Sequence, residues 1–227
     1  MTAYARSPGV RPKRSSNLYR SFLMHEITGV RERRGRARVF LDGEYWAELD
    51  AGVVAERGVR EGVAFSREEL SEVRLAGERP LAMNRALNVL GYRARSRGEL
   101  RERLARAGYA GETVEAVVCR LEELGYLDDE EFARNLVRSE ARKYGPRRIY
   151  GDLRRAGVDE EVAQETVEEE FAERSEHVEA RAAAGRRYNT VQGSDAQARR
   201  VYGFLVRRGY SASVCAEVAL EYRQETE

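Results

Sequence analysis

The sequence predicts a mainly α-helical protein, with three tandem three-helix, helix-turn-helix-like repeats in an elongated array behind a small α+β module that contains a β-hairpin. Three observations predict it. The pattern Leu-x-x-x-Gly followed by a large apolar residue recurs at Leu104/Gly108/Tyr109, Leu121/Gly125/Tyr126, Leu153/Gly157/Val158 and Leu205/Gly209/Tyr210. A glycine in the left-handed position past a helix brings the two apolar side chains together in a Schellman stop, so each copy marks a helix end. Gly108, Gly157 and Gly209 recur after 49 and then 52 residues, with Leu100, Ile149 and Val201 upstream of them and Val114, Val162 and Val214 downstream. That spacing is an internal repeat of helical units. The third observation is Asp42-Gly43 between two β-rich runs, a dipeptide that accepts the positive φ values of a two-residue hairpin loop.

The elements follow in order. Residues 1–20, with Pro8, Gly9, Pro12 and a cluster of Arg and Lys, read as a disordered basic arm. Residues 21–78 form the α+β module: a strand near 25–31, the hairpin over 36–41 and 44–49, and short segments over 50–57 and 66–76, the second opened by the capping box Ser66-x-x-Glu69. Trp46 packs against the hairpin. From Pro80 onward the chain is helical.

Residues 79–127 are the first repeat, with helices over 81–92, from Ser96-x-x-Glu99 to 107, and over 112–124. Residues 128–174 are the second: Asp128-x-x-Glu131 opens a helix to about Lys143, Gly145-Pro146 breaks it and starts the next, and Asp159 caps the third. Residues 175–227 are the third repeat, with a helix from Glu176, a polar loop over 189–194, and helices over 195–209 and 213–222. A helix pair of this size buries too little alone, so neighbouring repeats should pack.

Composition narrows the function. The 227 residues are 42% apolar and 35% charged, which suits folded, helix-rich units. No apolar run reaches the ~20 residues that span a bilayer, and the N-terminus lacks a secretory apolar core, so a cytoplasmic protein is expected. Cys119 and Cys215 stand in apolar helical stretches and read as small buried groups rather than a redox pair. His25 and His177 are far apart and the cysteines have no zinc spacing. Asp128-Asp129 reads as a helix-start pair, capping and facing the dipole, rather than a metal site. The only lysines are Lys13 and Lys143 and no Gly-x-x-x-x-Gly-Lys occurs, which excludes a P-loop NTPase. No catalytic residue, cofactor or metal is indicated, and a binding protein is expected.

The net charge of +1 hides segregation. Residues 82–111, 132–157 and 181–209 carry seven, eight and seven basic groups against two, two and one acidic; 112–131, 158–180 and 210–227 carry one basic group each against eight, ten and four acidic. Part of this balances between neighbouring helices. The stripe as a whole suits a polyanion or an acidic protein lattice. The candidate contacts are Arg93, Arg95, Arg97, Arg101, Arg103, Arg147, Arg148, Arg154, Arg155, Arg199, Arg200, Arg207 and Arg208, whose planar guanidinium forks bind phosphate or carboxylate bidentately. The competing reading is a helix-turn-helix regulator that grips naked duplex DNA.

Residues 85–100, RALNVLGYRARSRGEL, resemble the pattern AL..L..R.RS..EL of the RecX family of recombinase regulators. Residues 121–133, LEELGYLDDEEFA, are similar to that family's L...GYL.D..FA, and Gly145-Pro146-x-x-Ile149-x-x-x-Leu153-x-x-x-Gly157 is similar to its second-repeat motif. The resemblance covers residues 80–222 and implies three tandem three-helix units with no catalytic residue. It also implies a partner: the recombinase RecA and its single-stranded DNA filament, whose recombinase, ATPase and coprotease activities such proteins restrain in DNA repair and the SOS response. Direct contact with single- or double-stranded DNA and a monomeric state are expected alongside it.

Overall fold

The computed structural model describes residues 24–172, 174–188 and 193–224. The basic arm expected over 1–20, and most of the loop expected over 189–194, lie outside the described residues. The chain divides into two compact units, 1–82 and 83–227.

The first unit is built on a four-stranded antiparallel sheet of order β3-β2-β1-β4, formed by β1 Met24–Arg33, β2 Arg36–Leu41, β3 Glu44–Asp50 and β4 Ala64–Ser66. The expected Asp42-Gly43 loop joins β2 to β3, with φ of 49° and 89°. Its carboxylate is held on both sides: Asp42 Oδ1 accepts the Glu26 N–H at 3.0 Å and Oδ2 lies 2.8 Å from His25 Nδ1. The His25 contact and that N–H keep the Asp42 carboxyl below its ordinary pKa. A second two-residue loop, Arg34-Gly35 with φ of 53° and 75°, joins β1 to β2. The inner sheet face carries Ile27, Ala37, Val39, Ala47 and Leu49, which form one core with Val54 of α1 (Ala51–Glu56) and Val73 of α2 (Arg67–Leu90). Trp46 packs at the edge of this core, as expected.

Helix α2 differs from the sequence expectation. The segment over 66–76 and the helix over 81–92 are one helix of 24 residues that runs through Pro80. An interior proline removes one hydrogen bond at a cost of ~3 kcal/mol or more. The flanking turns compensate: Gly77 lies against Leu49, so closely that a Cβ would fall 2.8 Å from Leu49 Cβ, and the Glu78 carboxylate, 2% exposed, accepts from Arg74 Nε at 2.8 Å. The Ser66/Glu69 capping box opens α2 reciprocally, with Glu69 N–H to Ser66 Oγ at 3.2 Å and Ser66 N–H to Glu69 Oε2 at 2.7 Å.

The second unit continues with α3 Arg97–Arg106, α4 Gly111–Glu123, α5 Asp129–Glu140, α6 Pro146–Arg155, α7 Glu160–Ala172, α8 Glu176–Arg187, α9 Asp195–Arg207 and α10 Ala212–Glu221. All four predicted stop glycines have positive φ: Gly108 91°, Gly125 73°, Gly157 78° and Gly209 83°. Three of the stops close with the six-residue Schellman bond, Tyr126 N–H to Leu121 O at 2.9 Å, Val158 N–H to Leu153 O at 3.1 Å and Tyr210 N–H to Leu205 O at 3.3 Å. Five of the six residues they join are buried, and Tyr126, at 58%, is exposed. Leu153 and Val158 enter one core with Phe132, Val137, Ile149 and Val167; Leu205 and Tyr210 enter another with Ala184, Val201, Cys215 and Val218. The predicted N-caps also form, Ser96 on Glu99 N–H at 3.0 Å and Asp128 on Glu131 N–H at 2.8 Å. Asp159 Oδ1 accepts the Glu161 N–H at 2.9 Å.

One cysteine departs from expectation. Cys215 is buried, and burial raises its thiol pKa; Cys119 is exposed. The buried stripe of α4 is Val114, Val117, Val118 and Leu121, and Cys119, ~100° round the helix from Val118, stands on the outer face. An apolar-rich helix still has an outer face.

Candidate functional site

The second helices of the three-helix units, α3, α6 and α9, carry most of the candidate arginines, and the junctions between units join these helices end to start. Gly145 is the N-cap of α6 and Gly209 follows the C-cap of α9. There the Gly145 N–H donates to Arg208 O at 2.8 Å and the Arg147 N–H to Gly209 O at 3.2 Å. The preceding junction is equivalent: the Ser96 hydroxyl at the start of α3 donates to Ala156 O at the end of α6, and Gly98 lies against Gly157. Carbonyls left open at one helix end thus satisfy donors left open at the next helix start, and the facing dipoles attract. A Cβ on Gly145 would fall 2.6 Å from Gly209 O and one on Gly98 2.5 Å from Ala156 O, so neither site accommodates a side chain without a backbone shift.

Several candidates are committed to the fold. Arg97 donates from Nε to Asp129 Oδ2 at 3.0 Å and from Nη1 to Glu122 at 2.8 Å, and Asp129 Oδ1 accepts the Arg97 N–H at 2.8 Å. Asp128 therefore caps its own helix, while Asp129 caps α3 of the preceding unit. The Asp129 hydrogen bond raises the Arg97 pKa. Arg93 grips Glu99 with two bonds of 2.8 and 3.0 Å, and Arg101 holds Glu115 at 2.9 Å. Arg154 donates to Val158 O at 2.6 Å, and Arg155 pairs with Asp152. Arg148 and Arg208 lie over the Tyr144 ring, 3.9 and 5.3 Å from its centroid, and Arg208 also donates to Lys143 O at 2.7 Å.

Of the remaining six, all but Arg95 face outward. Arg103, Arg147, Arg199, Arg200 and Arg207 are exposed and make no ion pair among the described residues. Arg103 belongs to a pocket of about 250 Å³ that Arg85, Arg95 and Arg106 line together with Glu99 and Glu102. Arg95 Nε is buried there without a hydrogen-bond partner. Burial, then repulsion from Arg93, lowers the Arg95 pKa, while Glu99 Oε2 lies 3.7 Å from Arg95 Nη1.

Arg147 and Arg199 occupy matching grooves. Between α6 and α7, Arg147 and Tyr150 stand beside Pro146, Gln164, Val167 and Glu168 around about 330 Å³. Between α9 and α10, Arg199 and Tyr202 stand beside Ala198, Ala216, Ala219 and Leu220 around about 470 Å³. Each of these six residues lies 52 positions after its counterpart in the first; Asp195 and Arg223, paired at 2.7 Å, also line the second groove and have no counterpart in the first. The first three-helix unit closes the same place: 49 positions before Tyr150 and Gln164 are Arg101 and Glu115, bonded to each other at 2.9 Å. Sequence reasoning found the two arginines and not the tyrosines, although the 52-residue register already aligns Tyr150 with Tyr202.

The fold defines a class, proteins built of tandem three-helix units. Residues 82–121 match the model for the first three-helix domain of RecX and residues 128–167 that for the second. The chain is similar to the regulatory protein RecX of Amycolatopsis mediterranei, 36% identical over 142 residues, which cover 61% of this chain and 81% of the relative. It is also similar to the regulatory protein RecX of Lactobacillus johnsonii, 31% identical over 142 residues, where the match spans 62% of this chain and 52% of the relative. A crystal structure of regulatory protein RecX shares the fold, with a TM-score of 0.55 and 22% identity over 86% of this chain and 98% of that one. The chain belongs to the RecX family, whose members are regulatory proteins rather than enzymes. Among the described residues no helix is long and apolar enough to cross a membrane.

Proposed function

We propose that this protein binds RecA and its single-stranded DNA filament and inhibits the recombinase, ATPase and coprotease activities that the filament supports. The observation that carries this reading is the recurrence of one Arg/Tyr groove in successive units, at Arg147/Tyr150 and Arg199/Tyr202. A surface that repeats in register suits a partner that repeats, and a filament of identical protomers offers one acidic or apolar feature per protomer. Bound across neighbouring protomers, the row biases their packing by its differential affinity for two filament states. DNA carried by the filament is a second contact for the outward arginines, and no cofactor takes part.

The test is single-strand-dependent ATP hydrolysis by RecA with this protein titrated in. The expected result is a fall in rate at few molecules per many protomers. The double variant Arg147→Ala/Arg199→Ala, still folded, should need several-fold more protein for the same effect. No fall even at excess overturns the reading, and unchanged potency of the double variant overturns the groove assignment. Tight, sequence-dependent binding of naked duplex would instead support the helix-turn-helix alternative, which the filament reading opposes with weak, salt-sensitive affinity of about 0.9 in log-log slope per phosphate.

A further inference from the structure

The outer face of the N-terminal sheet carries charge that neither its strands nor its turn explain. In the register of β1 and β2, Arg31 stands opposite Arg38 and Arg33 opposite Arg36. Like charges directly opposite each other destabilise a strand pair. The loop between the strands adds Arg34 at φ 53°, a left-handed position for which Asn, Asp or Gly is better suited. These five exposed arginines border a concave surface of about 700 Å³, with only Glu32 and Glu48 as acidic lining, three positive charges in excess. Glu48 is shared between Arg36 at 3.1 Å and Arg38 at 3.7 Å, and Arg31, Arg33 and Arg34 make no ion pair among the described residues.

Aromatic rings lie beside this charge. Phe40 follows Arg38 on the same face of β2, and the facing residue on β1 is Gly29, which places no side chain over the ring. The Arg31 guanidinium carbon lies 5.1 Å from the Phe40 ring centroid. Tyr45, 58% exposed on the edge strand, meets Phe40 edge-on at 6.0 Å between centroids. The sheet therefore presents a grid of arginines, ~6.6 Å apart along each strand and ~4.8 Å apart across the pair, that leads to two aromatic side chains.

We propose that this face binds single-stranded nucleic acid, with phosphates on Arg31, Arg33, Arg36 and Arg38 and an unpaired base stacked at Tyr45 and Phe40. Arginines meet the phosphates as forked donors, and the aromatic rings select a strand whose base faces are open. An acidic protein would use the charges but not the rings, and duplex DNA hides its base faces. This site lies outside the helical units through which the proposed filament contact runs.

The test uses the full-length protein, a fluorescent 20-nucleotide oligothymidylate and no recombinase, so its outcome is separate from that of the filament reading. Anisotropy titrations across a salt series should show binding. Arg31→Ala/Arg38→Ala should weaken it roughly tenfold and reduce the log-log salt slope by about 1.4, at ~0.7 per phosphate contact on a single strand. Tyr45→Ala, which leaves the core intact, should weaken binding about fivefold or more with the slope unchanged. A folded double-arginine variant with unchanged affinity and slope overturns the proposal. So does equal or tighter binding of a 20-base-pair duplex that Tyr45→Ala leaves untouched. If the arginine variant fails to fold, Tyr45→Ala decides alone.

Discussion

Gly98 and Gly157 lie back to back: a Cβ on Gly157 would fall 2.8 Å from Gly98 Cα, and one on Gly98 would fall 2.7 Å from Gly157 Cα. The contact joins the start of α3 to the end of α6, and the Ser96 hydroxyl on Ala156 O lies within it. Gly98→Ala gains up to ~1 kcal/mol of helix propensity. It also forces a methyl against backbone that has no room, at ~1–3 kcal/mol. The expected net result is a loss of about 1 kcal/mol in urea unfolding and faster proteolysis between the first and second units. Gly111→Ala is the control, since a Cβ there meets nothing within 4 Å. If Gly98→Ala proves as stable as Gly111→Ala, the junction does not hold the units together.

Asp129 reaches the same helix start from another side. Its side chain is 4% exposed, and its two oxygens take the Arg97 N–H and Nε. Asp129→Ala leaves both donors open and should cost about 1–3 kcal/mol, less than for an isolated buried pair because Glu122 still holds Arg97 Nη1. Asp129→Asn retains one acceptor and should lose less. Chemical denaturation of the three proteins gives the ranking. Equal stability of wild type and Asp129→Ala would show that the α3 start is satisfied by water.

The two cysteines should separate cleanly in a thiol-labelling experiment. Cys119 is exposed on α4, whereas Cys215 is buried in the last core, its Sγ directed to Tyr210 O at 3.6 Å. Burial raises the Cys215 pKa, so its thiolate is scarce as well as shielded. At neutral pH a disulfide-exchange reagent should titrate one thiol per native chain and two in denaturant. Two fast thiols in the native protein would contradict the packing of α10.

These features differ in how far the sequence exposes them. A stop such as Leu153-x-x-x-Gly157-Val158 is local, because its partners lie within one turn and the glycine is needed for a positive φ. Capping boxes such as Ser66/Glu69 are equally local. The docking of Gly98 on Gly157, or of Gly145 on Gly209, joins residues distant in sequence, and nothing near Gly98 marks it as more than a helix-start residue. Pro80 reads as a boundary because the packing of Gly77 on Leu49 is tertiary. The Arg34-Gly35 hairpin escapes notice for a different reason: arginine is a poor turn residue, so the dipeptide lacks the Asp or Asn that marks a two-residue loop. At the candidate site the repeated arginines are legible. Which of them are consumed internally depends on partners such as Asp129 and Glu115 on other helices.

Tyr210 supplies an alkaline limit. It is 2% exposed in the last core, and burial, reinforced by Glu179, pushes its pKa from 10.0 to about 12. The folded state therefore holds the phenol proton more tightly than the unfolded chain. The associated stability is fully present below pH 10, falls as pH rises past it, and is lost once pH passes the folded value near 12. Two pH units of differential protonation correspond to on the order of 2–3 kcal/mol. The phenol makes only a long bond, 3.5 Å to Glu179 O, so Tyr210→Phe should be nearly neutral in stability at pH 7. Urea midpoints measured from pH 9 to 12 should fall steeply for the wild type. They should fall less for Tyr210→Phe, with the remainder coming from Tyr222, whose pKa is also raised by burial. Superimposable curves for the two proteins would place the alkaline transition on another group.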